Sequence, residues 1–186
     1  MTSIVDNLKN ALSQVVSGAG DVVGTTRDVA KKTVVETLQA GGDVASQAVS
    51  TAGSVVSEGV SAASQVGVST TQAVTGLVTG AIDGVKEAGG DVGSTATEAA
   101  SGAVKATFQI GGDVGEAAVS AVTGAINAAG DIGADSGELA KDAVVGSLKA
   151  ADEIGSEASG LVRKALLNAA ALPHDVIDAL LSGKTE

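Results

Sequence analysis

The sequence predicts an all-α protein: a long amphipathic helix built on 11- and 22-residue repeats, continuous or folded back at glycine pairs, packed in helical assemblies. Two observations carry this. Every eleventh residue, from Ala11 through Val22, Thr33, Val44, Val55, Val66, Leu77, Ala88, Ala99, Ile110, Ala121, Ile132, Ala143, Ile154 and Ala165 to Val176, is apolar except Thr33, which still carries a methyl group. Eleven residues make three turns at about 3.67 residues per turn, so the stripe stays on one side of an α-helix. The second observation is composition. The 186 residues include one Phe, no Tyr, no Trp, no Cys and 26 Gly. A chain so poor in large anchors does not condense around an enzyme-like core.

The stripe has width. Residues one, four, five and eight beyond each stripe position are also mostly apolar; the last of these rows includes Ala30, Ala52, Ala63, Val74, Val85, Ala96, Ala118, Ala129, Ala140 and Val162. Together they cover an arc of roughly 130°. Ser, Thr, Asp, Glu, Lys and Gln collect on the remainder. A β-solenoid would instead need apolar residues two apart.

A period of 22 is superposed. Asp21, Asp43, Gln65, Glu87, Gln109, Asp131, Glu153 and Asp175 form one row, Gly67, Gly89, Gly111, Gly133 and Gly155 a second, and Gly80, Gly102, Gly124 and Gly146 a third. Fixed-period repeats indicate units that bury their faces only against neighbours. A stack of short helical hairpins would need two loops in every 22 residues, so a continuous helix is expected, with Gly41-Gly42, Gly89-Gly90 and Gly111-Gly112 as the places where it bends or turns.

In chain order, Ser3 and Asp6 resemble a capping box that starts the helix near Ile4. Residues 1–160 form the repeat region. Residues 161–186 form a Leu-rich segment, with Leu161, Leu166, Leu167, Leu172, Leu180 and Leu181. Pro173 breaks the helix there, leaving Val176-Ile177 and Leu180-Leu181 on a short terminal helix. With its many Gly, Val and Thr, a lone helix of this composition is marginal in water. Ordering is expected when the apolar face finds a partner.

Charge narrows the function classes. The net charge is −11, from 22 acidic and 11 basic residues, and no base lies between residues 33 and 85. Nucleic acid, which needs clustered Lys and Arg, is not an expected partner, and anionic headgroups are poorly matched. The acids read as a solvated face. The uncharged run from Gly59 to Ile82 is rich in Ser, Thr and Gln, which disfavours membrane spanning. The first residues lack a basic flank and an apolar core, so no secretory leader is expected and the expected location is cytoplasmic.

No catalytic, cofactor-binding or metal-binding residue is expected. His174 is the sole His, with no sign of a nucleophile or pocket around it, and one His without Cys builds no metal set. Gly-Gly-Asp-Val at 41–44, 89–92 and 111–114 lacks the Lys-Ser/Thr ending of a phosphate loop. Small side chains along the arc favour close helix packing, with Val filling the grooves. The expected self-packing residues are Gly67, Gly89, Gly111, Gly133 and Gly155, where neighbouring helices come closest, with Val22, Val44, Val55, Val66, Leu77, Ile110, Ile132 and Ile154. The expected partner is the chain itself, as a homo-oligomer that propagates into a filament, sheet or shell.

The run Gln72-Ala73-Val74-Thr75-Gly76-Leu77-Val78-Thr79-Gly80, and the pattern over residues 4–170, resemble the eleven-residue-repeat amphipathic proteins: synuclein-like and perilipin-like lipid coats, group 3 late-embryogenesis-abundant proteins and the phasins of polyester granules. The resemblance implies a chain that becomes helical on lipid, on a polymer granule or on drying. The sequence departs from these families in lacking flanking Lys rows, dense charge and bulky apolar residues.

Overall fold

The computed structural model describes residues 4–18, 20–41, 44–174 and 177–178. They hold eight helices: α1 (Ile4–Gly18), α2 (Val22–Gly41), α3 (Val44–Val66), α4 (Thr70–Glu87), α5 (Val92–Gln109), α6 (Val114–Ile132), α7 (Ser136–Ile154) and α8 (Ser156–Asn168). No strand occurs among the described residues. The all-helical expectation is met, but one continuous helix is not what forms.

The breaks have a local cause. After α4, Gly89 takes φ +80°. Its amide donates to the Lys86 carbonyl at 3.1 Å, and the Gly90 amide donates to the Val85 carbonyl at 2.9 Å. That paired closure is a Schellman turn, whose left-handed residue suits glycine because it has no Cβ. Gly111 and Gly112 repeat it against Phe108 and Thr107 at 3.0 and 2.9 Å. The next helix then starts on an aspartate. Asp91 accepts from the Gly93 and Ser94 amides, Asp113 from Gly115 and Glu116, and Asp135 from Glu138. These carboxylates satisfy amides that the first helical turn leaves free. At 89–92 and 111–114, Gly-Gly-Asp-Val is thus a stop signal followed by a start signal. It spans only a few residues, which leaves α4 to α7 at 18 or 19 residues each. The two loops per 22 residues assumed for a helical stack are not needed; a single short connection suffices.

Each helix packs on the next and on the next but one among the described elements. Two layers result, α1-α3-α5-α7 and α2-α4-α6-α8, with the chain crossing between them at every connection. Neighbours within a layer run parallel: Gly76, Gly80 and Gly84 of α4 lie in turn against Val23, Arg27 and Lys31 of α2. Such nearest-neighbour architecture is quasi-one-dimensional.

The core follows the apolar arc. Ala30, Val34, Val55, Val56, Leu77, Val78, Ile82, Ala99, Val104, Ala121, Val122, Ala143 and Val144 are all fully buried. In α4 every residue from Ala73 to Val85 is buried except Thr75, which places this helix at the centre. Small residues keep the layers close, so packing density comes from many Ala and Val contacts rather than aromatic anchors. The single aromatic residue, Phe108, is 53% exposed.

At the C-terminal end, α8 runs across the 160/161 position and stops at Asn168, ahead of Pro173. Leu172 and Ile177 are buried. Ser3, Val176, Leu180 and Leu181 lie outside the described residues, as does the proposed Gly42 turn position.

Candidate self-packing surfaces

One glycine row, joined by Gly76 against the Val23 carbonyl, marks close helix approaches within the chain. A Cβ built on Gly124 would lie 2.6 Å from the Thr75 carbonyl oxygen, and one on Gly102 2.7 Å from that of Gly53. Gly80 against the Arg27 carbonyl and Gly146 against the Thr97 carbonyl are tighter still. All four sit where a helix crosses its neighbour in the same layer. The absent side chain lets backbone meet backbone, and hydroxyls then reach across. Thr75 donates to the Ser120 carbonyl at 3.3 Å, Thr79 to Gly124 at 3.0 Å and Thr97 to Asp142 at 3.2 Å. Each hydroxyl also lies within hydrogen-bond distance of a carbonyl one turn back in its own helix, so its single proton is shared. The Gly80 row was visible in the sequence, but its pairing with Thr75, Thr79 and Thr97 was not, because the partners lie 45 residues apart.

The residues expected to self-pack are divided by the structure. Gly67, Gly89, Gly111 and Gly133 occupy interhelical turns with positive φ, and Gly155 joins α7 to α8 at φ +148°. None has an atom within 4 Å of where a Cβ would stand. Within the chain this row makes turns, and the closest approach belongs to the other row. Val55 and Leu77 are fully buried. Val22, Val66, Ile110, Ile132 and Ile154 are partly buried against the core. The side chain of Val44 lies outside the described set.

Charge ties helices together as well. Arg27 of α2 sits 2.8 Å from Asp83 of α4 and 3.0 Å from Asp131 of α6, one cation reaching the next helix of its layer and the one beyond it. Lys31 meets Glu87 at 2.9 Å, and Lys105 of α5 meets Glu153 of α7 at 2.5 Å. Glu87, Asp131 and Glu153 belong to the 22-spaced acidic row, so these three clip one helix to another besides facing water. Asp83 is only 4% exposed, and its Oδ1 has no hydrogen-bond partner. Burial pushes its carboxyl above the usual range, opposed by the Arg27 hydrogen bond and charge. The carboxyl of Asp91 is held below the usual range, first by the Ser94 hydroxyl and then by the capped amides. These groups lock the array and present no nucleophile–base pair.

Some apolar surface is left uncovered. Leu161 is 49% exposed, Leu167 45% and Val145 39%. Beside Leu161 lies a groove of about 600 Å³ between the ends of α5 and α7 and the starts of α6 and α8, lined by Phe108, Val114, Ile154, Ala158 and Leu161 with Asp113 and Glu157 at its polar side. His174 is exposed. Among the described residues no three His, Asp or Glu side chains are placed to hold a metal ion, and no helix is long and apolar enough to cross a membrane. No protein-family model matches the chain, and neither does any curated protein or solved structure.

Proposed function

We propose that this chain is a non-catalytic structural protein that self-associates through the sides and ends of its helical array into an ordered assembly such as a filament, sheet or shell. One observation carries the reading: among the described elements each helix packs on the next and the next but one, with the Arg27–Asp131 ion pair reaching one helix further along its layer, so nothing among the described residues closes the array on itself. Arrays of this kind need a polar terminal face to stay monomeric, and α8 instead exposes Leu161 and Leu167. The 22-residue period is the natural module, one helix and one connection per unit. Its positive-φ glycines stand at 67, 89, 111, 133 and 155, and its crossing glycines at 80, 102, 124 and 146.

The alternative, an amphipathic coat on a lipid droplet, membrane or polyester granule, needs the apolar arc to face outward. Here that arc is spent on helix–helix contact, so a coat would have to unpack the array. A protectant of the late-embryogenesis type would have to be unfolded before drying. Electron microscopy of lipid-free protein over a concentration series tests the proposal. Ordered particles that grow with concentration support it; featureless fields throughout, with helix gained only on adding lipid or granules, overturn it in favour of the coat.

A further inference from the structure

We propose that the outward face of α8 is a docking surface for α8 of a second copy of this chain, antiparallel about a two-fold axis passing between residues 160 and 161. The inference rests on the self-association reading above and names the surface that begins it.

The face is identified by comparison with its equivalents inside the array. At successive 22-residue steps before Leu161 stand Ala73, Thr95, Ala117 and Leu139, all buried. At the same steps before Leu167, Thr79 and Ser101 are buried, Thr123 is half-buried and Val145 is exposed. At the Leu161 position the interior helices bury Ala, Thr, Ala and Leu, whereas α8 leaves its leucine about half exposed, with Leu167 exposed to a similar extent. A surface that continues an internal packing face, and is more apolar than it, fits a helix rather than water.

The occupant follows from charge and shape. At about 100° per residue, Glu157, Gly160, Leu161 and Lys164 share one face of α8, with Leu167 one turn on. All five are exposed, while Ala158, Val162 and Leu166 on the other side are buried. Turned about an axis between 160 and 161, this face complements itself. Leu161 lies against Gly160 of the second copy, whose Cβ position has nothing within 4 Å. Glu157 faces Lys164 of the second copy, and the reverse pair forms by symmetry. The other end of this layer offers no such match. The α2 positions that lie 44 residues before Gly76, Gly80, Asp83 and Gly84, the α4 residues that face the preceding helix, are Lys32, Glu36, Gln39 and Ala40, all exposed and mainly polar, so head-to-tail stacking would bury leucines against charge. An isologous contact is also the commonest symmetry of homo-oligomers.

Sedimentation velocity over a concentration series, on the full chain and its variants, tests this. Because the substituted side chains are exposed, circular dichroism of each variant should match the parent. Leu161→Glu should abolish the dimer. Glu157→Lys and Lys164→Glu should each raise the concentration needed for dimer by about tenfold or more. A one-to-one mixture of the last two should recover association, since each copy then supplies the charge the other lacks. Assembly unaffected by Leu161→Glu, or a mixture no tighter than either variant alone, overturns the α8 contact and leaves the broader self-association reading standing. Association that stops at a dimer sensitive to these changes upholds the α8 contact and overturns the filament, sheet or shell. A parent chain that stays monomeric throughout overturns both.

Discussion

The hydroxyl of Thr79 in α4 lies 3.0 Å from the carbonyl oxygen of Gly124 in α6, the residue whose missing side chain lets the two helices meet. The contact combines two effects that oppose each other in an isolated helix. Glycine costs about 1 kcal/mol of helix stability relative to alanine, and a threonine hydroxyl competes for its own backbone. Here the glycine permits the approach and the hydroxyl uses it.

Gly124→Ala should therefore destabilise the protein despite the better helix propensity. The new methyl would press on the Thr75 carbonyl and the Val78 side chain, at 2.6 and 3.0 Å, and overpacking of this kind costs roughly 1–3 kcal/mol. Gly130 lies in the same helix with open space at its Cβ position, so Gly130→Ala should stabilise by up to about 1 kcal/mol. Urea unfolding of the two variants reads the contrast. If both shift the midpoint in the same direction, close approach is not what selects glycine at 124.

The turn after α5 makes a different demand. Gly111 has φ +73° and nothing near its Cβ position, so its constraint is backbone conformation and not space. Gly111→Ala should cost about 1–2 kcal/mol through the left-handed conformation. Asp113→Ala should cost about 1 kcal/mol through the lost cap of α6. Thermal unfolding of the single and double variants would reveal whether stop and start act separately; near-additive losses are expected, as the two devices share no hydrogen bond.

These turns show which parts of the fold were legible. Helicity and the buried arc were, since Val55, Leu77, Ala99 and Ala143 repeat at multiples of eleven and are all buried. Gly89-Gly90 and Gly111-Gly112 were marked as places where the helix bends or turns, but a bend could not be told from a helix end. Twenty-two residues complete six helical turns at the repeat's pitch, so Val92 and Val114 re-enter in the phase the previous helix left. An uninterrupted register is then what both a continuous helix and one broken after Gly89 or Gly111 produce. Cross-helix partners were hidden for another reason. Arg27 finds Asp83 and Asp131 through the layer geometry, which no local periodicity encodes. The uncovered leucines of α8 stood out only as a change in composition near residue 161.

Arg27 joins three helices, so its loss should be felt beyond one pair. Arg27→Met keeps much of the aliphatic stem but leaves Asp83 buried without its hydrogen-bonded cation. The expected loss is roughly 2 kcal/mol, below that for a fully buried pair because Arg27 is itself 36% exposed. Asp131→Asn, at the exposed end of the network, should cost well under 1 kcal/mol. Equal losses from the two in urea unfolding would show that Asp83 does not depend on Arg27.

Two carboxylates should give the array opposite responses to acid. Asp83 has a folded-state pKa raised, chiefly by burial, so its protonated form is favoured in the fold. Its contribution is greatest below the unfolded value and is lost as pH rises through the raised folded value. Asp91 has a lowered pKa, first through the Ser94 hydroxyl and then the backbone amides it caps. Its contribution is present above the unfolded value and is lost as pH falls through the depressed folded value. Measured from neutral pH down through the carboxylate range, Asp83→Asn should therefore lose stability relative to the parent, because the parent gains from protonating Asp83 and the amide cannot. Asp91→Asn should gain on the parent over the same descent, because it has no capping charge to lose. Urea unfolding at several pH values reads both differences. Two difference curves that slope the same way would mean that burial does not govern Asp83, and that the Arg27 contact holds it ionised as the cap holds Asp91.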